Sequence, residues 1–275
     1  MRKLLSANFS RLRIDKIFWL GLLAMFGLGA YVVCSMYSNT IRYNEYAFLG
    51  DSLLIYSYCV GGCAAIFCSF FFGTEYSNGT IRNKLIVGHK RGNIYCAGLF
   101  LSVFTALLMG IAFLLSYFVL GSFLLEAPKL PMNIMIFYNI ISFFTIIAYA
   151  SIFHMLSMLI SRKSVSVLVC LLTFFGLFIL AMVIIGKLDA PEFISGYQLT
   201  ANGLEQTAPE PNPRYLQPEA RRIYQFFDDL LPTCQSLTLS YFEVIHPVLM
   251  IVYSVIISVV TTIIGVLGFQ RKNLK

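Results

Sequence analysis

The chain has 275 residues, of which 58% are hydrophobic and only 12% charged, and its mean hydropathy is +0.78. Soluble domains carry about twice that share of charge, roughly 25%, so a water-soluble fold is excluded and much of the apolar surface must face lipid. The net charge of +7 sits in short segments beside apolar runs, which marks membrane topology rather than a nucleic-acid-binding surface.

Residues 1–16 place Leu5, Phe9 and Leu12 at i, i+4 and i+7, with Leu4 alongside and Arg2, Lys3, Arg11 and Arg13 around the other side. This pattern predicts an amphipathic helix in the headgroup layer, where each basic residue near an anionic surface contributes about 1 kcal/mol. Such an arm is either a topology anchor or a lever that touches a cytosolic subunit.

Windows of about 20 apolar residues, enough to cross the hydrocarbon core, occur at 17–36, 53–73, 94–121, 134–160, 165–186 and 248–269. They predict an all-α, polytopic membrane protein with six transmembrane helices in a single domain over 1–275. The first window lacks a small-x-small cleavage site and reads as an uncleaved span. Fourteen of the 20 Lys and Arg residues fall in the arm, the second loop 74–93, the fourth loop and the tail, whereas 11 of the 13 acidic residues fall on the opposite side. Basic residues favour the cytosolic side, so both termini are expected in the cytosol. Six of the seven cysteines lie in or beside apolar runs and behave as small hydrophobes. Cys234 alone is expected to face the outer side, where it builds no disulfide framework but leaves an intermolecular bridge open.

The second loop is the most informative stretch. Asn78-Gly79 is a turn dipeptide, Thr80 is a good N-cap, and Gly88 is a C-terminal stop, which together predict a helix over Thr80–Val87. Ile81 and Leu85 share one face, and Arg82 and Lys84 are free to face solvent. Two turns of helix are marginal alone in water, so the apolar face must dock on something. Glu75 pairs either locally, with Arg82 or Arg91, or with a charge on a partner.

In the fourth span, Asn139, Ser142, Thr145 and Tyr149 line one face, and Ser151, His154 and Ser157 form a second row. They either line a pathway or join helices by hydrogen bonds. His154 alone reads as a packing residue rather than a proton relay. Gly61-Gly62 with Ala64 and Ala65 marks a close approach of helices in the second span. The long outer loop 187–247 carries Pro191, Pro209, Pro211, Pro213 and Pro218, expected to break regular structure in its first half. Residues 218–231 then read as a helix with Ile223, Phe227 and Leu230 on one face and Asp228 and Asp229 outward. Tyr224, Phe227 and Leu230 would lie on the membrane or cap the spans from outside. The loop holds 8 acids against 4 bases, either a solvated linker or a surface favouring cationic cargo.

The second loop resembles a segment, E-Y-x-x-G-T-I-R-x-K-L-x-x-G-x-x-R-x-x-I-Y, of the six-span permeases of bacterial ATP-binding-cassette exporters, the type-two permease family. The matching residues are Glu75, Tyr76, Gly79, Thr80, Ile81, Arg82, Lys84, Leu85, Gly88, Arg91, Ile94 and Tyr95. Weaker likenesses are the opening M-x-x-L-L-x-x-x-F-x-x-L and Leu231-Pro232-Thr233, where Cys234 replaces the glycine of an L-P-T-G-Q element. The resemblance implies a coupling helix that sits in a groove of an ATPase subunit, with Glu75, Tyr76, Thr80, Ile81, Arg82, Lys84, Leu85 and Arg91 as coupling residues. It further implies a bacterial cytoplasmic membrane location, two ATPase subunits and a second permease copy or sister permease, with the second and fifth spans near the centre of the assembly.

The chain has no G-x-x-x-x-G-K-[ST] phosphate loop, so ATP and magnesium are expected on a separate ATPase chain, with no cofactor here and no enzymatic activity of this chain by itself. Mid-span acidic or basic groups, the mark of ion-coupled transport, are missing too. The expected function is the permease of an exporter of amphipathic drugs, antibiotic peptides or lipids; the alternative is a receptor or sensor that binds an ATPase without transporting.

Overall fold

A computed structural model describes residues 1–44, 46–195, 197–200, 203–206 and 208–273. Lys275, counted above with the basic tail, lies outside the described residues. Among the described residues the fold is all-α, 80% helical, with ten helices. The arm is α1 (Arg2–Ile14), and Asp15 ends it and starts α2 (Lys16–Tyr43): its carboxylate accepts the Phe18 N–H at 2.9 Å, satisfying one of the free donors of the new helix. A strand β1 (Leu49–Ser52) and one 3-10 turn lead into α3 (Tyr56–Ser77). The loop helix α4 (Thr80–Ile86) follows, then α5 (Arg91–Leu124), α6 (Met132–Leu159) and α7 (Lys163–Leu188). After two short ribbons come α8 (Pro218–Leu230), α9 (Pro232–Tyr241) and α10 (Pro247–Arg271).

Helices α2, α3, α5, α6, α7 and α10 are long and apolar enough to cross a membrane, and each matches one expected window, although window 53–73 begins in the 3-10 turn before α3 and window 134–160 ends one residue past α6. Most run beyond it at both ends. The 34 residues of α5 span about 51 Å at 1.5 Å per residue, against a hydrocarbon core of about 30 Å, so its ends rise into the headgroup layers. The most enclosed span is α3, which packs on α5, α6 and α7. Its glycines permit this: a Cβ on Gly61 would come within 2.9 Å of the Tyr149 ring, and one on Gly62 within 3.2 Å of Phe174. The close approach expected at these glycines is therefore made with both α6 and α7.

The loops sort to two ends of the bundle. One, the basic end, gathers α1, α4, the start of α5 and the tail after α10, tied to one another by side-chain bonds. The other, the acidic end, carries β1, α8 and α9.

Three expectations about the long loop are corrected. Its first half is not irregular: β2 (Phe193–Ile194) pairs antiparallel with β5 (Glu210–Pro211), and β3 (Tyr197–Thr200) with β4 (Gly203–Gln206). The prolines sit beside and at the edge of these ribbons, where no ladder donor is required of them. Next, α9 turns back into the bundle and is buried from Pro232 to Leu239. Cys234 is fully buried within it, packed with Ala181 and Ile184, so it does not face the outer side and no intermolecular bridge reaches it in this structure. Finally, α8 is rotated relative to its sequence reading. Asp228 and Asp229 point inward at 3% exposure each, and Ile223, Phe226 and Phe227 point outward.

Candidate functional site

The basic end is built around Glu75, the last acidic group of α3, which is 1% exposed. Arg11 of α1 pairs with its Oε1, and Lys84 of α4 donates to the same oxygen at 2.6 Å. Lys84 also donates to Asn8 Oδ1 at 3.0 Å, and the Arg11 guanidinium lies 4.6 Å from the centre of the Phe71 ring. A buried carboxylate is tolerated only when paired and hydrogen-bonded; here two cations from two different elements do this, which locks arm, span and loop helix together. The partners expected for Glu75, Arg82 or Arg91, are corrected to Arg11 and Lys84. For the same reason Lys84 does not face solvent, whereas Arg82 does.

Gly79 (φ +67°) supplies the left-handed residue before α4, and Thr80 is its first helical residue with no side-chain cap, so the N-cap assigned to Thr80 is corrected to Gly79. At the far end Gly88 (φ +93°) ends the helix, its N–H donating to the Leu85 carbonyl at 2.9 Å and the His89 N–H to that of Lys84 at 3.2 Å. Ile81 is 1% exposed and Leu85 packs on the core. The apolar face expected to dock on a partner thus docks on this chain itself. What α4 leaves outward is its last turn, Ile86 and Val87 at 73% and 76% exposure, with Arg82 and Lys90 exposed around it.

Tyr76 and Arg91 belong to a second set of bonds at this end. The last carbonyls of a helix lack intrahelical donors and carry the negative end of its dipole. Arg91 supplies donors to the carbonyls of Phe269 at 3.1 Å, Gln270 at 2.9 Å and Lys272. Lys272 does the same for α6, reaching the Met158 carbonyl at 3.0 Å and Tyr76 Oη at 2.9 Å; burial lowers its ammonium pKa to about 8.

The polar row of α6 is bonded across helices, with Asn139 half-buried and Ser142, Thr145 and Tyr149 fully buried. The Tyr56 hydroxyl reaches Asn139 Oδ1 at 3.0 Å and meets Ser142 Oγ. Thr145 donates to Gln235 Oε1 at 2.9 Å, and Tyr149 meets Ser236 Oγ at 3.1 Å, both on α9. Gln235, which the sequence reading passed over, is the hub: its Oε1 also accepts from Ser254 at 2.7 Å, and its Nε2 donates to the carbonyls of Asp229 at 2.7 Å and Met250 at 3.2 Å. Its signals are Pro232, which favours the first turn of a helix, and the final glutamine of the L-P-T-G-Q likeness, which falls on Gln235. His154 is buried between Phe72 and Tyr95, meeting Ser102 and the Tyr95 carbonyl, in line with a packing role.

At the acidic end, Tyr224 packs on the cluster of Ala181 and Ile184, Leu230 is half-buried, and Phe227 is exposed. Asp228 accepts from Thr238 at 3.0 Å and Gln225 at 3.3 Å, and Asp229 pairs with His246 at 2.9 Å. Burial pushes the Asp228 carboxyl up to about 6, and that of Asp229 upward as well despite His246. A cavity of about 240 Å³ opens beside Asp228, between Asp189, Arg221 and Glu243.

No family model matches the chain, and no curated protein matches it in sequence; the likeness to exporter permeases rests on the second-loop residues quoted above.

Proposed function

We propose that this polytopic membrane protein is the membrane-spanning subunit of an ATP-driven exporter of amphipathic drugs, antibiotic peptides or lipids. The observation that carries the reading is the construction of the second loop. Its central motif residues, Thr80, Ile81, Arg82, Lys84 and Leu85, lie on one short helix, bolted to the arm through Glu75, Lys84 and Arg11, close beside Arg91 and the tail it holds, with an apolar tip left outward among cations. A push on α4 would therefore reach α1, α3, α5 and α10 together. The tip that meets a separate ATPase is Ile86–Val87, and Ile81 and Leu85 serve as its seat. Two ATPase chains holding ATP and magnesium, and a second permease copy or sister, complete the assembly, and the basic end faces the cytosol of a bacterial cell. Thr145 and Tyr149 would line the cargo route once α9, which bonds to both, withdraws.

The test is coexpression of the tagged chain with the ATPase encoded beside it, followed by copurification and by export from loaded vesicles. Copurification, ATP-dependent export and loss of both in Val87→Asp are expected. Failure of the ATPase to copurify would overturn the reading, and an ATPase that binds and hydrolyses without any cargo movement would make the chain a receptor or sensor subunit instead.

A further inference from the structure

The outward face of α8 poses a physical problem that the exporter reading does not answer. A helix on a protein surface in water turns its charges out and its apolar residues in. Helix α8 does the reverse: Asp228 and Asp229 are held inside by Thr238 and His246, while Ile223, Phe226 and Phe227 remain 59%, 45% and 42% exposed. Such an orientation is stable where the surroundings are hydrocarbon, because there the polar groups gain most by finding partners inside the protein.

The position of α8 along the spans agrees. Its Ile223, Tyr224 and Phe227 form one wall of an open apolar groove, and Leu180, Val183 and Ile184 of α7 form the other. Leu180 lies six residues before Gly186, the end of the apolar run of the fifth span, which is about 9 Å along the helix axis. On its other flank Phe226 packs edge-on against Tyr253 of α10 at 5.8 Å between ring centres, six residues inside the start of that span. The face of α8 is thus continuous with the exposed faces of two spans, at a depth where those faces are apolar.

We infer that the groove between α7 and α8 is a seat for an acyl chain of a bilayer phospholipid, and that α8 lies in the leaflet at the acidic end with its apolar face among the chains. Arg222, exposed beside Ile223, is placed to meet a phosphate. The proposal is independent of ATPase coupling.

Trp19 is the single tryptophan, so Trp19→Phe provides a silent background for Phe227→Trp, with Leu172→Trp on the exposed face of α7 as a mid-span reference. The full chain is reconstituted into phosphatidylcholine vesicles with or without bromine at mid-chain, and iodide is added as an aqueous quencher. Bromolipid is expected to lower the Phe227→Trp emission by about twofold or more, as at the reference, with little quenching by iodide. Strong iodide quenching with a weak bromolipid effect would place the helix in water and overturn the proposal. Equal quenching by both would place it at headgroup level and overturn it as well. Resistance to both would mean that protein, such as a second copy, covers the groove, and would also overturn it.

Discussion

Arg11 on the arm and Glu75 at the end of the second span are ion-paired across 64 positions of sequence, so the arm is fastened to the bundle by charge as well as by the packing of Phe9 on Phe104. Because Lys84 shares the carboxylate, the three elements depend on one buried group. Glu75→Ala leaves two cations facing each other, and we expect a loss of about 1–3 kcal/mol, below the usual cost of breaking a fully buried pair because Arg11 is partly exposed. Trypsin should cut the arm at Arg11 and Arg13 at least fivefold faster in Glu75→Ala, whereas Arg11→Ala, which keeps Lys84, should lower thermal stability less. Unchanged proteolysis would show that packing alone holds the arm.

The two faces of α4 separate fold from function. Ile81→Asp or Leu85→Asp places a charge in the core and should cost several kcal/mol, reducing the amount of folded protein in the membrane. Ile86→Asp and Val87→Asp change side chains that are largely exposed and should leave expression and melting temperature at the parental values while weakening ATPase association tenfold or more. Wild-type association by both tip variants would remove the Ile86–Val87 turn from the proposed contact.

The spans were readable because hydropathy over about 20 residues is a local property and needs no knowledge of neighbours. The same holds for α4, whose ends are written in Gly79 and Gly88. What stayed hidden depends on tertiary placement. Glu75 has cations at several positions nearby in sequence, yet its partners are Lys84 and the distant Arg11, because α1 folds back over the end of α3. Helix α8 was recognisable by Pro218 and its periodicity, but an amphipathic pattern does not say which face meets the protein when the surroundings are lipid. Helix α9 was missed because its ten residues are too short for a span and too polar for one, and its interior position only becomes sensible once Gln235 is seen to satisfy Thr145 and Ser254.

Gln235 makes four hydrogen bonds, to α6, α8 and α10. Gln235→Leu is close in size and leaves the Ser254 hydroxyl and two carbonyls without it, a cost of about 1–3 kcal/mol per orphaned buried group. The spans should still insert, and the variant should show a lower melting temperature and faster hydrogen exchange in residues 232–241 specifically. If α9 closes the cargo route, vesicles bearing the variant should also leak cargo without ATP; exchange confined to parental rates would show that packing, rather than Gln235, seats α9.

The acid-dependent step at the outer loop follows from Asp228. Its carboxyl titrates near 6 in the docked state and near 3.8, its ordinary value, when α8 turns so that this carboxyl meets water. The docked state therefore holds a proton that the released state gives up across that interval, so docking is favoured at acid pH and weakens as pH rises through about 6. Asp229, Asp189 and Glu243 add negative charge around it, while Arg221 and His246 oppose them. Cys234, fully buried next to Tyr224 of α8, is a native reporter of release once the other six cysteines are replaced. Since thiol chemistry itself varies with pH, the quantity to follow is the maleimide labelling rate of the parent divided by that of Asp228→Asn at the same pH. This ratio should rise about tenfold between pH 5 and pH 7.5, since the parent alone carries the linked proton of Asp228. A ratio that stays flat would show that Asp228 keeps its bonds to Thr238 and Gln225 regardless of its charge, and that α8 does not respond to pH through this residue.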